Sequence, residues 1–136
     1  MKKKSFAAWA LILFLIAFLA GCSSREEEAG NTASYQQITA KEAKSMMEEQ
    51  PDAVILDVRE QDEYDAGHIP GAVLLPVGTI DEETAAAAIP EKDTVALVYC
   101  RSGNRSKTAS QTLADLGYTQ IFEFGGIRDW PYDVEQ

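Results

Sequence analysis

The sequence is short of cysteine, histidine and basic side chains. Among its 136 residues are two cysteines, Cys22 and Cys100, and one histidine, His68, in a length that suits one domain. Twelve lysines and arginines stand against 22 aspartates and glutamates, so the formal net charge is −10. A surface of this sign repels nucleic-acid phosphates, and we therefore expect no nucleic-acid partner. We also predict no metal site.

The N-terminal segment has the pattern of an export signal. Three lysines precede an uncharged, mostly apolar stretch over residues 6–20, which is short for a membrane span of roughly 20 residues. The LAGC stretch that ends at Cys22 resembles the lipobox of bacterial lipoproteins. The resemblance implies that residues 1–21 are a signal peptide and that Cys22 is lipidated. An uncleaved anchor with an incidental cysteine is the alternative.

Lipidation at Cys22 would place the protein at the cell membrane, lipid-anchored on the extracytoplasmic side. Without residues 1–21, nine basic and 22 acidic side chains remain, a net charge of −13. Anionic lipid repels such a domain, so acyl chains must supply the attachment. Residues 22–34 contain no large apolar side chain and predict a flexible tether. We expect residues 35–136 to form the domain, with Cys100 as its single free thiol.

From Tyr35 onward, strand-like and helix-like segments alternate. This pattern predicts an α/β fold with an open, mainly parallel sheet of about five strands and helices on both faces. Ligands of such sheets bind beyond the carboxyl ends of the strands, and Cys100 follows one of these ends. The predicted strands cover residues 35–38, 53–58, 72–77, 94–99 and 120–124, and the helices residues 39–50, 60–65, 81–88, 105–116 and 127–130. A capping box is predicted at Thr39 and Glu42, a helix stop at Gly117 and a turn at Gly125–Gly126.

The stretch CRSGNRS, from Cys100 to Ser106, joins a buried strand to a helix. The first N–H groups of a helix have no intrahelical partner, and the helix dipole adds about half a positive charge there. Together they form an anion site, beside which a thiol ionises below its free value of about 8.5. Arg101 and Arg105 add fixed positive charge. The other loop residues are flexible or polar: Ser102, Gly103, Asn104 and Ser106.

Such a loop can hold an anionic substrate and stabilise a thiolate on Cys100. Two reactions suit this arrangement, namely sulfur transfer and cleavage of a phosphate ester. The alternative is an inert buried cysteine followed by a solvated loop. Two arginines within five residues of Cys100, at a strand-to-helix junction, favour a functional site.

Two further motifs accompany the CRSGNRS loop. DVREQDEYDAGHIPGA covers residues 57–72, and GGIRDW covers residues 125–130. Together with the loop, in this order, they resemble the rhodanese domain, the sulfurtransferase fold, over residues 35–130. The resemblance implies a single-domain thiosulfate-type sulfurtransferase. Cys100 would attack the outer sulfur of a small anionic donor such as thiosulfate, and the persulfide formed would pass that sulfur to a thiol or to cyanide. No cofactor is implied besides this covalent persulfide, and we expect a monomer.

The resemblance also implies roles for individual residues. The N–H groups of residues 101–106 would hold the charge of the persulfide, while Arg101 and Arg105 would attract the oxyanion of the donor. Asp57 and Arg59, from the long motif, are interpreted as supports that fix neighbouring loops through charge-assisted hydrogen bonds.

Three other side chains of the long motif are interpreted as structural. A thiol with a low pKa needs no general base, so His68 is predicted to support the turn in which it lies. Glu63 and Tyr64 are predicted to be surface and packing positions.

Two other functions remain open at this point. A rhodanese-fold binding module without turnover is the main alternative, although inactive family members usually lack the cysteine that Cys100 supplies. A cysteine phosphatase of the same fold needs five residues between its cysteine and its arginine. Here the sixth position after Cys100 is Ser106, and Arg105 falls one residue early, which argues against phosphatase activity.

Overall fold

The computed structural model of the chain describes residues 32–136. The predicted signal peptide, the lipidation site Cys22 and most of the predicted tether lie outside the described residues. None of the helices within residues 32–136 has the length and apolar character that a membrane-spanning segment needs. The strands are β1 (Gln36–Gln37), β2 (Val54–Asp57), β3 (Val73–Leu74), β4 (Ala96–Cys100) and β5 (Ile121–Gly126), and the α-helices are α1 (Ala40–Glu49), α2 (Gln61–Ala66), α3 (Glu82–Ala88) and α4 (Asn104–Asp115).

All strand pairs of the described sheet are parallel, and the spatial order is β1-β5-β4-β2-β3. Strand β4 lies in the middle, between β2 and β5, and every one of its residues is buried. Its sequence ALVYC is a continuous apolar run, as expected for a parallel strand covered on both faces. The predicted fold class is therefore confirmed.

Side chains that alternate along the strands feed two separate apolar clusters. On one face, Leu56 and Val98 pack with residues of α3 and α4, among them Ala85 and Leu113. On the other face, Leu97 and Tyr99 pack with Ala43 of α1 and with Trp130. The sheet thus has helices on both faces, and β4 contributes to both clusters because successive side chains point to opposite sides.

Helix boundaries follow from local capping. Thr39 and Glu42 form the predicted capping box at the start of α1, since the Thr39 hydroxyl accepts from the Glu42 N–H and the Glu42 carboxylate accepts from the Thr39 N–H. Asp81 caps α3 in the same way through Thr84. Helix α4 ends just before Gly117, whose φ of +96° suits glycine in the predicted stop position.

Three predicted elements differ from the structure. The strand over residues 72–77 is reduced to Val73–Leu74 and is followed by a 3-10 turn at Val77–Thr79. The helix predicted over residues 127–130 is a single 3-10 turn, Ile127–Asp129. The turn predicted at Gly125–Gly126 is wrong, because β5 continues through both glycines and Gly126 pairs with Cys100 beyond a bulge in the ladder.

Candidate active site

Cys100 is the last residue of β4, at the carboxyl edge of the sheet, and its side chain is only 1% exposed. The chain leaves the strand through Arg101 and Ser102 and enters α4 at Asn104. Gly103 makes this abrupt change of direction with a φ of +101°, a left-handed conformation that favours glycine. The predicted strand–loop–helix arrangement around Cys100 is therefore present.

The loop directs donors at the sulfur. The Gly103 N–H lies 3.0 Å from Cys100 Sγ, and the Ser106 Oγ lies 3.4 Å from it. Burial raises the pKa of the Cys100 thiol, but hydrogen bonds from the Ser106 hydroxyl and from the N–H groups of Ser106, Gly103 and Ser102 lower it. The hydrogen bonds outweigh burial, and the pKa of Cys100 lies below its ordinary value.

Strand β5 holds the loop from the side opposite α4. A Cβ atom on Gly126 would overlap the carbonyl group of Arg101, so only glycine permits this approach of two backbones. The Arg101 carbonyl also accepts a hydrogen bond of 3.2 Å from the Arg128 N–H. The GGIRDW motif therefore shapes the loop through close backbone packing, which requires glycine at position 126.

Arg105 does not point to an open anion site. Its guanidinium donates two hydrogen bonds, of 2.7 and 2.8 Å, to the carboxylate of Glu63 in α2. Arg105 lowers the pKa of Glu63 to about 2, and Glu63 in turn raises the pKa of Arg105. Glu63 is partly exposed, as predicted for a surface position, but it also pairs with Arg105, and this pair largely offsets the positive charge expected from Arg105.

Arg101 is the loop cation without such a partner. Its side chain is exposed, and none of the hydrogen bonds or ion pairs found among residues 32–136 involves it. Ser102 and Asn104 are exposed as well, whereas Gly103 and Ser106 are buried against the sulfur. The loop therefore has a buried side that faces Cys100 and an exposed side whose free charge is Arg101.

Asp57 and Arg59 form a buried ion pair at the carboxyl end of β2. Arg59 Nε and Nη2 donate to the Asp57 carboxylate at 2.9 and 2.6 Å, and Nη2 also donates to the Gly67 carbonyl at 2.8 Å. The Tyr99 hydroxyl, one residue before Cys100, donates to Asp57 at 2.6 Å and accepts from the Ile69 N–H. These contacts join the end of β2 and the segment after α2 to Tyr99 of β4, next to Cys100. The supporting role of Asp57 and Arg59 stays a prediction.

His68 has partners of its own, and none of its hydrogen bonds within residues 32–136 reaches Cys100. Its ring stacks on Tyr64 with centroids 3.7 Å apart, and Nδ1 lies 2.9 Å from the Tyr64 carbonyl. Its Nε2 lies 3.4 Å from the Glu135 carboxylate, and the two backbones form an antiparallel bridge. These contacts attach the chain after Trp130 to the GHIPGA turn.

The alternation within β5 places one carboxylate inside the core. Glu123 is 2% exposed and shares a strand face with Ile121. Its Oε1 accepts from Ser106 Oγ at 2.6 Å and from the Gly125 N–H at 2.8 Å, and its Oε2 accepts from Gln37 at 3.2 Å. The sequence interpretation missed Glu123, although a single acid between aromatic residues of a buried strand, in IFEF, is the signal that would have found it.

A cleft of about 430 Å³ adjoins the loop. Ser102, Gly103 and Lys107 line one side of it, and Glu123 and Gly125 of β5 line the other. A cleft of about 480 Å³ lies elsewhere, between α1 and the chain around Trp130, and contains no residue of the Cys100 loop. The first cleft therefore adjoins the loop, although neither Cys100 nor Arg101 lines it. Residues 32–136 contain no group of three acidic, histidine or cysteine side chains placed to hold a metal ion.

The sequence of the chain matches one protein-family model, the rhodanese-like domain, over residues 39–132. Thiosulfate sulfurtransferase PspE of Escherichia coli (strain K12) is 35% identical over 74 residues, which are 54% of this chain and 70% of that protein. Thiosulfate sulfurtransferase GlpE of Coxiella burnetii is 34% identical over 97 residues, 71% of this chain and 87% of that protein. YrkF of Bacillus subtilis (strain 168) is 33% identical over 111 residues, and the match spans 58% of that longer protein.

Solved structures agree with the sequence comparison. A rhodanese with anions from E. coli superposes with a TM-score of 0.58 at 31% identity, over 62% of this chain and 98% of that one. The rhodanese-like domain of Alr3790 from Anabaena superposes with a TM-score of 0.66 at 30% identity, over 73% of this chain and 77% of that one. Fold, motif order and matched length point to the same conclusion, and the chain belongs to the rhodanese-like sulfurtransferase family.

Proposed function

We propose that this protein is a membrane-anchored, extracytoplasmic sulfurtransferase that carries sulfane sulfur on Cys100. The single observation that carries the proposal is the convergence of loop donors on a buried thiol. The Gly103 N–H donates to Sγ at 3.0 Å, and the N–H groups of Ser102 and Ser106 also stabilise its ionised form. Donors in this position stabilise the ionised form of the sulfur, which favours its action as a nucleophile and later as a leaving group.

The reaction takes place in two steps. In the first step, the Cys100 thiolate attacks the outer sulfur of thiosulfate, a new S–S bond forms, and the electron pair of the broken S–S bond leaves with sulfite. In the second step, cyanide or a thiolate attacks the outer sulfur of the persulfide, and Cys100 leaves as a thiolate. The N–H groups of residues 101–106 stabilise the charge on sulfur in both steps, and no other cofactor takes part.

Arg101 is the residue that we assign to the anionic donor. It is exposed and has no acidic partner among residues 32–136, whereas Arg105 is paired with Glu63. Asp57 and Arg59 fix the neighbouring loops and do not contact the reacting sulfur. Through its pair with Glu63, Arg105 holds the first turn of α4 against α2.

The proposed location rests on the sequence around Cys22. Lipid on Cys22 would hold the acidic domain at the outer side of the cell membrane through the tether over residues 22–34. The relatives named thiosulfate sulfurtransferase support the activity, and the LAGC stretch supports the location.

Steady-state kinetics with thiosulfate and cyanide test the activity. We expect thiocyanate formation with parallel double-reciprocal lines, because the donor product leaves before the acceptor binds. Cys100→Ala is expected to abolish turnover while the protein stays folded. A folded wild-type protein that transfers sulfur from no sulfane donor to cyanide or to a thiol would instead favour a binding module.

A further inference from the structure

The buried carboxylate of Glu123 has no part in the mechanism given so far. An isolated carboxylate is costly to bury, and Glu123 is 2% exposed. Three donors compensate for its burial: the Ser106 hydroxyl, the Gly125 N–H and the Gln37 amide. Both carboxylate oxygens therefore have hydrogen-bond partners, and Oε1 faces Ser106.

Ser106 stands between this carboxylate and the sulfur, and its hydroxyl has a single proton to donate. Three acceptors surround Ser106 Oγ: Glu123 Oε1 is nearest at 2.6 Å, and the carbonyls of Gly103 and Gly125 follow at 3.0 and 3.3 Å. Cys100 Sγ lies 3.4 Å from the same oxygen and donates to it. While Glu123 is ionised, the hydroxyl proton is directed to Glu123, and Ser106 offers a lone pair to the thiol proton.

We propose that Cys100 and Glu123 share one negative charge through Ser106, and that Glu123 is the positioning residue that holds the thiol proton while the sulfur reacts. This inference rests on the proposed function of Cys100 as the reacting sulfur. In the resting protein the charge lies on the carboxylate and the thiol keeps its proton. In the reacting state the charge lies on sulfur, and Glu123 is neutral.

The transfer conserves protons and charge. The S–H bond of Cys100 breaks and its proton passes to Ser106 Oγ, while the hydroxyl proton of Ser106 passes to Glu123 Oε1. Ser106 is then oriented to donate to the thiolate, so the sulfur gains a donor at the moment when it becomes an anion. When Cys100 leaves as a thiolate in the second step, the proton returns along the same path.

Direct repulsion explains why the two groups do not ionise together easily. The two hydrogen bonds through Ser106, of 2.6 and 3.4 Å, limit the separation of carboxylate and sulfur. Two like charges this close in a buried site disfavour each other's ionised form. A neutral side chain in place of Glu123 therefore makes the thiolate easier to form, both by removing the repulsion and by releasing the Ser106 proton to the sulfur.

Other charged groups near the site act on Cys100 in the wild-type protein and in a Glu123 variant alike. Gln37 of β1 faces Glu123 as a neutral donor. Arg105 interacts electrostatically with Cys100 but is paired with Glu63. The charged side chains that face the loop and its cleft are Arg101, Arg105, Lys107, Glu42, Glu60 and Glu63.

The test is the pH dependence of Cys100 alkylation by iodoacetamide, measured on the wild-type protein and on Glu123→Gln. Glutamine has the shape of glutamate and can still accept from the Gly125 N–H. We expect the midpoint of alkylation to fall by about 1 pH unit in the variant, because the competing charge is gone. Glu49→Gln is the matched control, since it removes one exposed carboxylate of α1 and should leave the midpoint unchanged.

An unchanged or higher midpoint in folded Glu123→Gln overturns the proposal, because a carboxylate that only supports the loop gives that result. Glu123→Met, which fills the site with an uncharged apolar side chain, must also lower the midpoint. If neither variant folds, Glu123 is a folding residue and the proposal is overturned as well. Alkylation needs no sulfur donor, so failure of sulfur transfer would contradict the proposed function and leave this test decisive for Glu123.

Discussion

At the scale of single residues, Cys100 depends on groups that follow it closely in the chain. Gly103 and Ser106 lie three and six positions later and both reach Sγ, because the chain turns back on itself to start α4. The sequence predicted this loop well, since a buried strand, a glycine and a helix follow one another within a few residues. The pairing of Arg105 with Glu63 could not be predicted, because 42 positions separate the two residues.

The unpaired charge of Arg101 gives the first prediction. Arg101→Gln should lower kcat/KM for thiosulfate by about five- to tenfold, mainly through KM, because an exposed charge near a dianion is worth about 1 kcal/mol. The melting temperature should stay within experimental error. Lys41→Gln removes one exposed positive charge from α1 and serves as the matched control. Equal kinetics for Arg101→Gln and wild type would show that Arg101 has no part in donor binding.

At the scale of secondary-structure elements, the loop is held by α2 on one side and by β5 on the other. The Glu63–Arg105 pair joins α2 to α4, and the close approach of Gly126 joins β5 to the loop backbone. Neither contact involves residues close in sequence. The order of strands and helices was predictable from alternating patterns, whereas these contacts depend on the register of β5 against β4.

The ion pair between α2 and α4 predicts a pH dependence of stability. The pKa of Glu63 is about 2, below its ordinary value of 4.5, so the pair contributes stability above pH 4.5 and loses it as the pH falls through 2. The pair is partly exposed, and we expect its contribution to be about 0.5 to 1 kcal/mol after solvent screening. Glu63→Gln should therefore be less stable than wild type at pH 7 by this amount.

Urea unfolding at a series of pH values between 7 and 3 measures this difference. The difference in the free energy of unfolding between wild type and Glu63→Gln should narrow as the pH falls below 4.5. Asp62→Asn, an exposed position on the same helix, is the control and should show no such narrowing. If this difference in free energy stays constant with pH, Glu63 contributes to stability through packing alone.

Gly126 predicts a second effect at this scale. Gly126→Ala places a Cβ on the carbonyl group of Arg101, so the loop or β5 must move. We expect a loss of about 1 to 3 kcal/mol in stability and a rise in the pKa of Cys100, because the displaced loop loses its donors to sulfur. Gly78→Ala is the control, since nothing lies within 4 Å of its added Cβ. Equal melting temperatures and alkylation profiles for the two variants would contradict this account of the GGIRDW motif.

At the scale of the whole molecule, the acidic composition and the Cys100 loop have opposite effects on an anionic donor. A net charge of −10 says little about the fold, and it works against an anionic donor at long range. The attraction of the donor to the loop N–H groups and to Arg101 must outweigh this long-range repulsion. Composition and motifs predicted the family and singled out Cys100, but not Glu123, because a buried acid can be recognised only when the face of its strand is known.

The proposed lipid on Cys22 gives a prediction for the whole chain. The protein expressed from its full sequence should fractionate with membranes, and Cys22→Ala should abolish lipid attachment at this position. Cys100→Ala is the matched control, since it removes the other cysteine and should leave the membrane fraction unchanged. Metabolic labelling with a fatty acid detects the modification directly. Labelling that persists in Cys22→Ala would contradict the assignment of the lipid to this residue.

Intact mass spectrometry after incubation with thiosulfate tests whether Cys100 carries sulfane sulfur. We expect that the wild-type protein gains the mass of one sulfur atom, that cyanide removes it, and that Cys100→Ala gains nothing. Peptide mapping should place the added sulfur on the peptide that contains Cys100. A folded wild-type protein that gains no sulfur from any sulfane donor, or one that gains it equally without Cys100, would contradict the account.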